Sequence, residues 1–119
     1  SVSTGNPLDH AEMNAIKKAY QSLDSQTMKT ATIYTTTEPC TMCMSAISWV
    51  RIPRLVFGCS LEESRKMDFK EINLHAANLA EYFPYKIEII DSICVEECKQ
   101  LFKLWKEKNR ILLWLQRQK

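Results

Sequence analysis

A chain of 119 residues, 45% of them apolar, can fill one ordinary core and not two, so a single domain over residues 1–119 is expected. A formal charge of +2 marks neither a polybasic nor a polyacidic protein, and no apolar run approaches the roughly 18 residues of a membrane span. Five cysteines at irregular spacing, after a start (SVSTGNPLDH) with no basic or apolar export pattern, argue against a disulfide scaffold and for reduced thiols in the cytoplasm.

The first element is a helix in LDHAEMNAIKKAYQSL. Ala11, Ala15 and Ala19, with Ile16, Tyr20 and Leu23, recur at spacings of three and four and predict one buried face. Pro7 and Asp9 suit its start. TATIYTTTE is β-branched and aromatic and predicts a strand from about Thr30 to Thr37. Pro39 suits the first turn of a second helix, which CTMCMSAISWV carries to Val50.

A second strand, Arg54 to Cys59, is approached through Pro53. LEESRKMDFKEINLHAANLAEYF is mostly polar and predicts helix in pieces, with His75 inside it. YKIEIID alternates as a third strand, and Val95, Cys98, Phe102 and Trp105 give a closing amphipathic helix, so that a basic C-terminal helix is expected over about 93–119. Its end is basic because residues 99–119 hold seven Lys and Arg against Glu107 alone, which leaves the rest of the chain net acidic. Such a charge can steer a protein toward phosphates, and it equally suits a solvated helix face. The apolar run Ile111 to Leu115 exceeds one helical face and is expected to pack on a neighbouring subunit or to cover open sheet; a simple buried last turn would also explain it. Helices alternating with strands predict an α/β fold with parallel neighbours.

The chemistry concentrates in two places. Cys40 and Cys43 stand three apart at a helix start, where both sulfurs face one point and the positive end of the helix favours thiolate. His10 starts the other helix. Two thiolates and an imidazole suit zinc. A closed structural site needs four ligands, and Cys59, Cys94, Cys98 and His75 offer no second pair at finger-like spacing, so a fourth position is left to water, whose pKa a zinc ion lowers toward neutrality. Glu12, two residues from His10, is placed to move that water's proton. C-x-x-C also occurs in redox pairs, but those sit in a thioredoxin-like context that is not apparent here.

HAE followed by EPCTMC resembles the H-x-E…P-C-x-x-C signature of the zinc nucleobase deaminases, and the chain is similar to the cytidine deaminase-like superfamily, in the branch of bacterial guanine deaminases and tRNA adenosine deaminases. The resemblance runs from about Asn6 to Lys108. It implies a three-layer α/β/α sandwich with a mixed sheet, zinc held by His10, Cys40 and Cys43, and Glu12 as proton shuttle in a hydrolytic deamination that releases ammonia. Backbone groups near Ala11 and Cys40 would help place base or water, and Pro39 would shape the approach to the cysteine helix. AISWVRIPRLVF and SLEESRKMDFKEI resemble the guanine enzymes, which implies substrate contacts from Trp49 and Glu63. Trp49 could equally be a core residue, and Glu63 a helix-start carboxylate. RIPRLVFGC also resembles the tRNA enzymes. Guanine or a related free purine is therefore the first expectation, adenosine in tRNA the second and a cytosine compound the third. A homodimer is expected, as is common in the family.

The family also carries a helix and a two-stranded hairpin before H-x-E, whereas nine residues precede His10 here. The implied domain is N-terminally shortened, with an exposed strand edge and part of the pocket wall absent. Two further readings follow: an RNA-binding module in which zinc is only architectural, and a fragment completed by a partner chain.

Overall fold

In the computed structural model, which describes residues 6–67 and 71–108, three strands lie side by side in chain order. β1 (Thr32–Thr37), β2 (Arg54–Cys59) and β3 (Glu88–Ile90) are parallel, with Thr32 opposite Arg54 and Arg54 opposite Glu88. A mixed sheet needs an antiparallel strand as well, and none pairs with these three among the described residues.

Parallel neighbours cannot be joined by a tight turn, so helices carry the chain back. α1 (Ala11–Ser22) and the short α2 (Ser25–Met28) precede β1. α3 (Thr41–Val50) links β1 to β2, α4 (Leu61–Lys66) and α5 (Ala76–Ala80) lie between β2 and β3, and α6 (Val95–Lys108) follows β3. β2 begins and ends where Pro53 and Ser60 punctuate the sequence, and Ser60 and Glu63 close a capping box at the start of α4. α3 stops at Arg51, whose left-handed backbone (φ 63°) turns its N–H back onto the Ile47 and Ser48 carbonyls just before Ile52 and Pro53.

β2 is buried from Leu55 to Cys59, as a strand covered on both faces must be. Ile33 of β1 and Leu55 and Phe57 of β2 belong to one core with Ile16, Met28, Met44, Ile47, Ile52 and Ala76, which places α1, α3 and α5 over that face. Removing a side chain such as Leu55 or Ile47 from water contributes about 1.5–3 kcal/mol. α6 packs against β2 from the other face. The result is the expected helix–sheet–helix layering.

Three sequence expectations need adjustment. Of the apolar residues read as one face of α1, Ile16 is buried and Ala19 half-buried, while Ala11, Ala15, Tyr20 and Leu23 are exposed, because α1 meets α3 and α2 over a narrow strip. Cys40 is not inside the first turn of α3 but caps it in extended conformation (φ −71°, ψ 173°), with Pro39 just outside. The polar stretch after β2 forms helix in pieces as expected, the short α4 and α5, but His75 is the residue before α5 and not inside a helix. The run Ile111 to Leu115 lies outside the described residues.

Gly58 of β2 faces Cys98 of α6 at close range. A Cβ built there would lie 2.8 Å from the Ile93 carbonyl oxygen and 3.0 Å from that of Thr36, and would collide with the Cys98 sulfur. Gly58→Ala is therefore expected to destabilise the fold by about 1–3 kcal/mol, the usual range for overpacking, as read from urea unfolding midpoints.

Candidate metal centre

The C-terminal end of β1 delivers the chain to Glu38, Pro39 and Cys40, all buried. Cys43 is the third helical residue after the Cys40 cap, so one turn brings both sulfurs to the same point. His10 arrives from a different part of the chain. Asn6 shapes its approach, accepting the Asp9 N–H on its carbonyl (3.0 Å) and the Leu8 N–H on its side-chain oxygen (3.0 Å). His10 then caps α1 with its backbone while its ring makes no cap bond. Instead Nδ1 lies 3.6 Å from the Cys40 sulfur and 3.6 Å from the Cys43 sulfur.

Those distances test whether a metal fits. Zinc bonds of about 2.3 Å to sulfur and about 2.0–2.1 Å to nitrogen, held at a tetrahedral angle, separate the two donors by about 3.6 Å. The three donor atoms lie within 4.8 Å of one another, and theirs is the only such group of three among the described residues. Chemistry and spacing both fit zinc.

The thiols are electrostatically unequal. The hydrogen bond from the neighbouring Cys43 thiol lowers the Cys40 pKa to about 5, assisted by the N–H groups of Cys43 and Met42 and by His10. Cys43 is driven the other way by Cys40, by burial and by the Glu12 carboxylate, which comes within hydrogen-bonding reach of it. Glu12 is half-buried in the first turn of α1 and thus stands beside the donor triangle without being one of its corners.

The other sequence candidates divide. Ala11 is exposed next to His10, and Pro39 is fully buried next to Cys40, so both border the triangle by chain position. Glu63 is occupied elsewhere: its carboxylate accepts the Ser60 N–H (3.2 Å) and meets Lys99 at 3.1 Å, and the Ser60 bond in particular holds its pKa down. Trp49 is not a core residue. It is 86% exposed on the side of α3 that also carries exposed Ser45, opposite buried Cys43, Met44 and Ile47.

Two carboxylates escaped the sequence reading. Glu71 is exposed, yet the protein around its carboxyl withdraws enough water to raise its pKa, and it feels the charges of Cys40, His10 and Glu12, which puts it near the triangle. Glu38 is buried at 6% exposure and accepts the N–H groups of Leu61 (2.9 Å) and Ala76 (2.6 Å). His75 Nδ1 joins it at 3.2 Å, and His75 Nε2 meets Glu62 at 2.9 Å. Neither carboxylate falls on a periodic pattern; the E-P-C sequence was the sole signal for Glu38.

Comparison with known proteins agrees with the geometry. The profile of the MafB19-like deaminases matches residues 3–93. A tRNA-specific adenosine deaminase of Haemophilus influenzae is 32% identical over 114 residues, covering 92% of this chain and 61% of the relative. A guanine deaminase of Bacillus subtilis is 45% identical over 58 residues, 48% of this chain and 36% of that protein. The solved guanine deaminase of Nitrosomonas europaea superposes with a TM-score of 0.72 at 20% identity over 85% of this chain and 58% of its own, a likeness of fold. The chain thus spans about three-fifths of the length of the Haemophilus relative.

Cys43→Ser or His10→Ala is expected to reduce bound zinc from one per chain to near zero in the presence of a competing chelator, as measured by elemental analysis. A second expectation concerns pH. Glu38 first, and then Glu62, raise the His75 pKa above its ordinary 6.5. The stability this adds is full below pH 6.5 and is lost as pH rises through the raised value. Parent melting temperature should therefore fall between pH 6 and pH 8 by more than that of His75→Ala; equal falls would remove His75 from the account.

Proposed function

Because the chain belongs to the MafB19-like deaminase family, we propose that it carries out hydrolytic deamination of a nucleobase, with guanine or a related purine as the first substrate. The observation that carries this reading is the His10, Cys40 and Cys43 triangle with the Glu12 carboxylate at its side. In this reading His10 Nδ1 and the two sulfurs hold zinc and leave one coordination position free of protein. Zinc held there supplies the Lewis acidity that makes water a nucleophile at neutral pH.

The protein's own groups do the rest. Glu12 takes a proton from the attacking water on a carboxylate oxygen and hands it to the ring nitrogen beside the amino-bearing carbon, which is N3 beside C2 in guanine. With the water oxygen bonded to that carbon, Glu12 passes the proton of the new hydroxyl to the amino nitrogen, the carbon–nitrogen bond breaks and ammonia leaves, so water and purine are converted to oxopurine and ammonia. Backbone groups near Ala11 and Cys40 would help place base and water, with Pro39 shaping the approach to α3. Glu71 supports guanine in particular. Guanine presents N1–H and its 2-amino group side by side, a donor pair that two carboxylate oxygens match, whereas adenine has no such pair. Glu63 and Trp49 are left out of this reading, since the first is bound to Ser60 and Lys99 and the second faces solvent.

A second reading, adenosine in tRNA, is favoured by the extent of likeness: the relative named tRNA-specific adenosine deaminase aligns with 92% of this chain and the guanine deaminase with 48%.

The test is ammonia release by the zinc-loaded chain from guanine, adenine, cytosine, their nucleosides and a tRNA anticodon stem-loop. Release from guanine is expected. It should fall about 10²–10⁴-fold in Glu12→Gln with zinc still bound, and Glu71→Ala should raise KM for guanine. Release from the stem-loop alone would select the second reading, and release from nothing would contradict both.

A further inference from the structure

Glu38 connects parts of the molecule that the chain keeps far apart. One carboxylate, at the end of β1 and two residues before Cys40, holds the first N–H of α4 through Leu61, the first N–H of α5 through Ala76, and the His75 ring. Its own backbone N–H is bonded to the Cys59 carbonyl at 2.8 Å, so the residue is fixed to β2 as well. A buried carboxylate is costly unless its lone pairs are filled, and these partners fill them.

The stretch from Glu71 to His75, whose carboxylate feels the charges of Cys40, His10 and Glu12, is anchored at its two ends. The Arg65 guanidinium donates to the Glu71 carbonyl at 3.1 Å, and at the other end His75 and Ala76 bind Glu38. In between, the Leu74 N–H turns back onto the Ile72 carbonyl at 2.8 Å. Movement of the Glu38 carboxylate would thus be passed to the Glu71 segment through His75 and Ala76, whereas Cys43 is held within α3 and Cys40 at its cap.

We propose that Glu38 is a positioning residue that fixes the segment bearing Glu71 relative to the cysteine ligands, setting substrate binding rather than metal binding. Its consequence for substrate rests on the purine deamination reading above. Replacing the carboxylate by an amide leaves one oxygen for two N–H donors and aims an NH₂ group at the other. The zinc donors keep their own elements, α1 and α3.

The experiment compares the zinc-loaded chain with Glu38→Gln and with Ser60→Ala, a variant that weakens the α4 capping box without touching Glu38. Bound zinc, amide hydrogen exchange by mass spectrometry and guanine kinetics are read on each. Glu38→Gln should keep one zinc per chain, speed exchange at least tenfold in peptides covering 71–80, leave 41–50 unchanged, and raise KM for guanine at least tenfold with kcat changed less than threefold. Ser60→Ala should lower the melting temperature without the change in KM. Unchanged exchange over 71–80, equal acceleration over 41–50, loss of zinc, or the same KM change in Ser60→Ala would each overturn the proposal. Should Glu38→Gln fail to fold, His75→Ala removes one partner at a half-exposed position and should speed exchange over 71–80 about threefold; no acceleration there overturns the proposal as well. If the parent releases ammonia from no base, the deamination reading has failed, and the exchange pattern alone still decides for or against the positioning role.

Discussion

The meeting of His10 Nδ1 with the Cys40 and Cys43 sulfurs is the constraint on which the rest of the structure depends. Thirty residues separate the first two donors, and each comes from the start of a different helix. Sequence alone sets the cysteines one turn apart, but only the packing of α1 on α3 brings the histidine to them. Ile16 of α1 and Ile47 of α3 belong to the same core. The parallel sheet fixes where the site can be: strands that run the same way deliver the following helix starts to one edge, and α3 and α4 both begin there, after β1 and β2.

That edge is also where the molecule concentrates buried negative charge. Cys40 is acidic for a thiol, Glu12 adjoins Cys43, and Glu38 is nearly closed off from water. Each has a separate solution. The thiols and Glu12 adjoin the imidazole and the proposed cation, whereas Glu38 is neutralised by amide donors and His75 and so takes no part in the donor triangle. Like charges so near one another explain the raised pKa of Glu71 after desolvation has been counted. On the proposed reading, what each of these carboxylates and thiols touches assigns it as ligand, proton carrier or positioning group.

Much of this was legible in the sequence because its signals are local. Pro53 and Ser60 bracket β2, so its observed bounds are those expected, and Cys-x-x-Cys at a helix start fixes the mutual placement of two donors without reference to the fold. Trp49 was harder, since CTMCMSAISWV is apolar nearly all round and periodicity could not tell which side faces the core. Glu63 was implied as a substrate contact by the resemblance of SLEESRKMDFKEI to the guanine enzymes; its bonds to Ser60 and Lys99 are visible only in the fold. Apart from the E-P-C sequence that contains Glu38, no pattern points to Glu38 or Glu71. Their partners lie in other elements, and no spacing rule connects position 38 with 61, 75 and 76.

The central claim is an open zinc site with three protein donors, and X-ray absorption at the zinc edge measures it without depending on any substrate. The account predicts one zinc per chain with two sulfur scatterers at about 2.3 Å and two lighter nitrogen or oxygen scatterers at about 2.0–2.1 Å. A shell of three or four sulfurs, drawing on Cys59, Cys94 or Cys98, would mean a closed structural centre and would contradict it.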